Sequence, residues 1–357
     1  MSERRIASTF SGLIVCMVLT SSAAAQELSR VGLDSVVAID QFVGQNASDR
    51  PNIVVDISTV VRLGGGWRAF VRPWFRQPRS PEWDKEVYQA FIQYERPGIV
   101  STRVDLGYLA SPMGLGIMDS RPGVNPLIGG HSAYFSSLPP FEPSAPRVSA
   151  IASSYPLGAQ VTTSTARWDV RGALVASAPT RGYVINRESP PHTAPTLEGG
   201  IGFTPRTGTR IGASIAHGEW ATAEEVPRAG EGRSMTMGGI EGELAMGYTK
   251  VAGEVMRTQF ETFRGPAVAY SWFVQGVQTL APRWLAAGRQ ESVSAPPAIS
   301  GPVAGRRSMM YGTEATLGYR LNRDLLLRTG LAFRKSFTRT DWDQQVGLSL
   351  VWSKRWW

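Results

Sequence analysis

Alternation with a period of two is the feature that most narrows what this chain can fold into. Reading back from Trp352 by twos gives Leu350, Leu348 and Val346 on one side, with Val351, Ser349, Gly347 and Gln345 on the other. A strand with one greasy face and one face of small or polar residues lies between an apolar and a wetter environment. From Val31 onward the same unit recurs: an alternating stretch, a very short turn, a second stretch, then a longer polar loop. No segment keeps a helical period.

The first two predicted strands cover 29–39 and 53–63, and Gly64-Gly65-Gly66 supplies the tight turn that follows, glycine accepting the positive φ a hairpin needs. Alternation continues through 67–76, 87–95 and 99–109, then from 157, and through 168–176, 197–204, 210–217, 237–247, 250–260, 268–279, 283–291, 311–321, 324–334 and the closing strand from 342. That makes sixteen antiparallel strands in an all-β chain. Connections alternate in length: 64–66, 96–98, 165–167, 205–208, 281–282 and 322–323 are short, whereas 177–196, 218–236 and 292–310 are long. Trp67, Trp168 and Trp284 directly follow short turns, and Trp352 ends the strand that returns to that rim; Tyr94 and Tyr319 end descending strands. Indole and phenol rings favour a lipid headgroup layer, so these read as an aromatic girdle.

The start of the chain points to export. Arg4 and Arg5 precede an apolar run over 10–19, and Ala23-Ala24-Ala25 offers a small-x-small cut before Gln26, the pattern of a cleaved secretory signal peptide over 1–25. The run is too short to span a bilayer as a helix. Residues 26–357 are then one barrel domain. Cys16, the only cysteine, lies inside the signal and follows Val15, which does not fit lipoprotein processing. The mature chain is therefore expected to hold no disulfide and no cysteine-ligated metal. Without the signal the formal charge is +7 against +8 for the whole chain, nearly all of it from arginine, yet no basic run suggests nucleic acid.

The polar residue, the glycine two later and the apolar or aromatic residues at the third-last and last places of 345–352 resemble the closing-strand signal of Gram-negative outer-membrane β-barrels. The resemblance implies that barrel-assembly machinery reads Gln345, Gly347, Leu350 and Trp352, although 353–357 continue past the point where such chains usually stop. In length, strand count and loop order the mature chain resembles the trimeric porins. It implies a transmembrane up-and-down barrel in the outer membrane, a possible homotrimer, and a long third loop folded into the bore. The eight prolines of 110–156 break the strand rhythm where that loop belongs. On the resemblance, Asp119, Arg121, His131 and Glu142 help line the constriction; Pro140-Phe141-Glu142 stands where those porins often carry Pro-Glu-Phe. Stretches 270–276 and 284–291 are similar to the phosphate-selective porins, but the lysine-rich ladder of that family is missing.

If apolar faces meet lipid, the opposite faces line a lumen that sixteen strands leave too wide for side chains to fill, so a water channel is expected. Arg62, Arg68, Arg72, Arg103, Arg320 and Arg328 then gather on one wall, and Glu241, Glu243 and Glu254 on another, opposed across the bore. Guanidinium forks suit carboxylates and phosphates, so an anion passing that wall meets a favourable field. Local pairing or simple solvation of the wall is the competing reading. Phe70 and Trp74 also point inward beside Arg72. Enzyme chemistry finds little support: His131, His192 and His217 are the only histidines, and no phosphate loop or metal-spaced histidine pair occurs, so neither cofactor nor metal is expected. A passive channel for small hydrophilic solutes with mild anion preference is the leading reading. A porin specific for an anionic or aromatic nutrient, and a non-conducting barrel with a binding or hydrolytic role, are the alternatives.

Overall fold

A computed structural model describes residues 30–44, 47, 50–77, 82–115, 121–151, 155–182, 194–226 and 230–356. The expected signal peptide, Asp119 and His192 lie outside the described residues. The strands are β1 (Val31–Gly44), β2 (Asn52–Gly64), β3 (Trp67–Gln77), β4 (Asp84–Arg96), β5 (Ser101–Tyr108), β6 (Leu157–Ser164), β7 (Trp168–Val175), β8 (Thr196–Arg206), β9 (Thr209–Ala221), β10 (Arg233–Met246), β11 (Thr249–Phe260), β12 (Ala267–Ala281), β13 (Trp284–Ala295), β14 (Ser308–Arg320), β15 (Leu325–Lys335) and β16 (Asp343–Arg355). Each pairs with its sequence neighbours, and β16 closes on β1, so the sheet is a sixteen-stranded antiparallel barrel without an edge. The closing ladder runs from Asp34 opposite Arg355 to Gly44 opposite Gln345.

The alternation has the consequence the sequence suggests. Val346 and Leu348 on β16 are 53% and 55% exposed on the outside, whereas Ser349 and Val351 at alternate positions are 1% and 3% exposed on the inside. Ile215, Ile240 and Val255 continue the exposed apolar surface around the barrel. Such a band is stable against hydrocarbon and costly in water. The short-turn rim carries paired rings across neighbouring strands: Trp67 on Tyr94 at 4.9 Å, Trp168 on Phe203 at 4.4 Å and Trp284 on Tyr319 at 4.7 Å. Gly64, Gly65 and Gly66 turn β2 into β3 with φ of 92°, 60° and 88°, and a Cβ on Gly66 would lie 2.5 Å from the Glu95 carbonyl. Only glycine takes that turn without strain.

Several strands run past their expected ends toward the long-loop rim: β1 reaches Gly44, β10 starts at Arg233 and β13 reaches Ala295. Ladder hydrogen bonds do not require the greasy outer face to continue, so pairing outlasts the hydrophobic pattern there. The glycine-rich β8 pairs along most of its length with β7 and β9, its neighbours supplying the packing that its own residues lack.

The connection from β5 to β6, L3 (109–156), folds into the bore and carries one helical turn, α1 (Ser132–Phe135). The space it occupies is not wet. Inward residues in the long-loop half of β9 to β14 are mostly apolar, and Ala216, Met237, Met256, Phe273 and Val293 form one buried cluster with Met113, Tyr134, Phe141 and Ile151 of L3. Phe141 packs with tilted rings against Trp220 at 5.3 Å and Phe260 at 5.0 Å, which themselves meet edge-on at 5.3 Å. Burying each large side chain contributes roughly 1.5–3 kcal/mol, and several together exceed the cost of ordering the loop residues that carry them. On this side of the bore L3 supplies apolar filling that the wall side chains alone do not.

Candidate functional site

The site is the middle of the bore, where L3 meets charged residues of the wall. Strand parity aims these residues inward, and each finds a backbone group of the loop. The Glu314 carboxylate accepts the N–H groups of Ile128 and Gly129 at 2.9 and 2.7 Å. Glu291 accepts those of Ser132 and Ala133 at 3.0 and 3.2 Å, at the start of α1. Glu254 accepts the Leu115 N–H at 2.6 Å and the Tyr134 hydroxyl. Cations hold the carbonyls: Arg328 donates to Asn125 and Leu127, both at 2.7 Å, and Arg289 donates to Gly129 and Gly130 at 3.1 and 2.8 Å. L3 comes this close because its contact points are small; a Cβ on Gly129 would lie 2.2 Å from the Arg334 guanidinium.

These latches accompany buried residues on the inner face all round the barrel. Every strand contributes an inward residue that is buried, the even-numbered ones through Asp56, Gln89, Gln160, Glu198, Glu241, Gln275, Thr316 and Ser349.

All nine of the pore-lining charges inferred from sequence lie on inward faces, but most are not free. Arg72 is fully buried and grips Asp56 through two bonds of 2.8 and 2.9 Å. Arg68 meets Glu95 at 3.1 Å and Arg103 meets Asp105 at 3.0 Å. Arg328 serves L3 and Ser349, and lies 3.7 Å from Asp40. Arg62 and Arg320 are exposed and, among the described residues, make no side-chain hydrogen bond or ion pair. On the opposite wall Glu241 bonds both Arg171 and Arg210, at 2.8 and 2.7 Å, Glu243 meets Lys250 at 2.7 Å, and Glu254 belongs to the latch. The expected transverse field between an arginine wall and a glutamate wall is corrected accordingly: each wall largely neutralises itself.

The loop residues also differ from the expected constriction lining. His131 is fully buried, edge-on to Phe273 at 4.6 Å and to Tyr134 at 5.7 Å, with Glu291 3.9 Å away. Loss of hydration, and then the Arg289 cation, push its pKa well below the ordinary imidazole value, so it is neutral at pH 7. Glu142 is buried too, accepting the Phe263 N–H at 3.0 Å and lying 3.6 Å from Arg233, so it anchors the loop rather than facing water. The Arg121 carbonyl accepts the N–H groups of Val124 and Asn125 at 2.9 and 2.7 Å. In the closing strand, Gln345 and Gly347 face inward, the latter against Phe42 and Ile128, while Leu350 and Trp352 face outward.

Arg171, Arg210, Arg289, Glu291 and Glu314 were not singled out from sequence, although Arg289, Glu291 and Glu314 sit at inward positions of strands the alternation does locate. Their partners are loop atoms, diagonal neighbours or, for Arg171 with Glu241 and Arg210 with Asp169, residues of non-adjacent strands, which strand parity alone does not reveal.

No protein-family model matches the chain, and no curated protein matches it. Solved structures do. Outer-membrane expressed OmpT of Vibrio cholerae superposes with a TM-score of 0.59 at 8% identity, covering 92% of this chain and 99% of that one. OprB of Pseudomonas putida gives 0.61 at 11%, covering 91% and 94%. An anion-selective porin from Comamonas acidovorans gives 0.56 at 11%, covering 91% and 99%. The fold is that of the outer-membrane porins. Within the porin fold this chain combines a full-length barrel with an L3 that packs dry against the wall, and at these identities the likeness concerns fold alone.

Proposed function

We propose that the chain is an outer-membrane channel for small hydrophilic solutes, non-enzymatic, whose L3 closes the bore at rest and shifts to let solute pass. The observation that carries the reading is the bonding of L3: charged wall residues hold it through its backbone, an arrangement that can be released without unfolding the barrel. A mild anion preference is part of the proposal and rests on Arg62, Arg68 and Arg320, three inward arginines that remain solvent-exposed. It also accords with the fold shared with the anion-selective porin of Comamonas acidovorans. The dry packing favours a second reading, a selective channel that opens only for a fitting solute.

Planar-bilayer recording tests both. Brief openings, with a reversal potential on the anion side in a salt gradient, are expected, and the R62Q/R68Q/R320Q variant should move that potential toward cations. An unchanged potential overturns the anion preference, and silence at every voltage and with every solute overturns the channel.

A further inference from the structure

Below the L3 latch, toward the short-turn rim, lies a cavity of about 370 Å³. Its roof is the L3 segment 122–126, which Arg328 fixes through the Asn125 carbonyl and which abuts Val36 at Gly123. Its wall differs from the rest of the bore. Where the inward faces above carry carboxylates and guanidinium groups, β11 to β16 present Ala252, Val277, Leu285, Leu326 and Val351 here. The volume falls at the lower end of the range for small-molecule sites, and an apolar lining with a few polar groups is the usual composition of such sites.

The cations around this chamber are unequal. Lys250 is held by Glu243 at 2.7 Å, and Arg323 lies 3.4 Å from its neighbour Asp324. Arg320 lines the same cavity and, among the described residues, has no side-chain partner. A hydrated inorganic ion gains nothing from the hydrocarbon wall, and a neutral apolar molecule gains nothing from Arg320. A single carboxylate on a compact apolar body uses both, pairing with the guanidinium fork while its hydrocarbon leaves water.

We propose that this chamber is a binding site for small organic monocarboxylates with an apolar body, Arg320 taking the carboxylate. The proposal rests on the channel reading for its purpose, as the station a solute occupies on the inner side of L3, but binding itself is measured without conduction.

Isothermal titration calorimetry tests it on the full mature chain in phosphatidylcholine nanodiscs, with benzoate, inorganic phosphate and benzyl alcohol as probes. Saturable one-site heat is expected for benzoate only. R320Q, at an exposed position whose side chain has no partner among the described residues, should weaken benzoate roughly tenfold or more, as loss of a charge-assisted hydrogen bond does; R167Q, on a distant short turn, should leave it unchanged. No saturable benzoate heat, phosphate or benzyl alcohol binding as tightly as benzoate, or R320Q matching the unaltered chain would each overturn the site. A chain that conducts but does not bind benzoate loses this site and keeps the channel; one that binds but never conducts does the reverse.

Discussion

The carboxylate of Glu314 on β14 lies 2.7 Å from the backbone nitrogen of Gly129 and accepts its N–H, joining a wall residue to the middle of a loop 185 positions away in sequence. The same carboxylate lies 3.4 Å from Arg289 and 3.6 Å from Arg334, so one anion neutralises two cations and ties down L3. Glu314→Ala should release the Ile128 and Gly129 amides, at a cost of roughly 1.5–3 kcal/mol per hydrogen bond to a charged group. Hydrogen exchange in the folded barrel checks this: these amides should exchange at least tenfold faster while the β13–β14 ladder keeps its protection. Unchanged exchange at Gly129 would mean that the latch does not hold the loop.

Phe141→Ala removes the L3 ring that packs on Trp220 and Phe260. A buried aromatic lost to alanine costs about 3–5 kcal/mol, and here the cost should fall on L3 docking rather than on the barrel. Limited proteolysis is therefore expected to cut within 109–156 in the variant and leave a heat-resistant barrel, whereas the unaltered chain resists cutting. Loss of the barrel together with the loop would place the aromatic cluster in the barrel's own stability instead.

Acid should loosen L3 through His131. Its pKa in the docked loop is depressed, first by burial and then by Arg289, with Glu291 the nearest carboxylate and Tyr134 and Phe273 against the ring. The undocked loop binds the extra proton, so the docking contribution is complete above the ordinary histidine pKa of about 6.5 and declines as pH falls below it, by at most about 1.4 kcal/mol per pH unit. Channel open time measured from pH 7 to pH 5 should rise, and His131→Leu should flatten the rise while wall carboxylates remain free to titrate. An equal rise in His131→Leu would assign the effect to those carboxylates.

How much of this was legible beforehand follows from what each feature depends on. Leu348 facing out and Ser349 facing in need only the period of two, and the placement of the girdle at Trp67 and Trp284 needs only the alternation of short and long connections. Parity puts both Arg72 and Asp56 on the inner face but does not pair them: Asp56 sits opposite Trp74 in the ladder, one diagonal step from Arg72, and that offset comes from register. The dry interior was the larger surprise. Met235, Met237 and Met256 lie on inward faces that alternation marks as wet, and they are buried because Met113, Phe141 and Ile151 of L3 cover them. Proline-rich loops carry no period from which such docking can be read.

A lysine at Leu348, in the apolar belt, tests which side faces lipid. A charge at the bilayer midplane of a barrel costs roughly 2–4 kcal/mol, less toward the headgroups. Reversible unfolding in lipid vesicles should show Leu348→Lys destabilised by that order. A change within about 0.5 kcal/mol, as for an ordinary solvated surface, would argue against membrane burial of this face.

Single-channel conductance of the unaltered chain against the Glu254→Ala/Glu291→Ala/Glu314→Ala variant tests most directly the proposal that docked L3 shuts the bore at rest. Rare, brief openings in the unaltered chain and long-lived openings in the triple variant are the expected result. A steady, large conductance in the unaltered chain, matched by the triple variant, would contradict it.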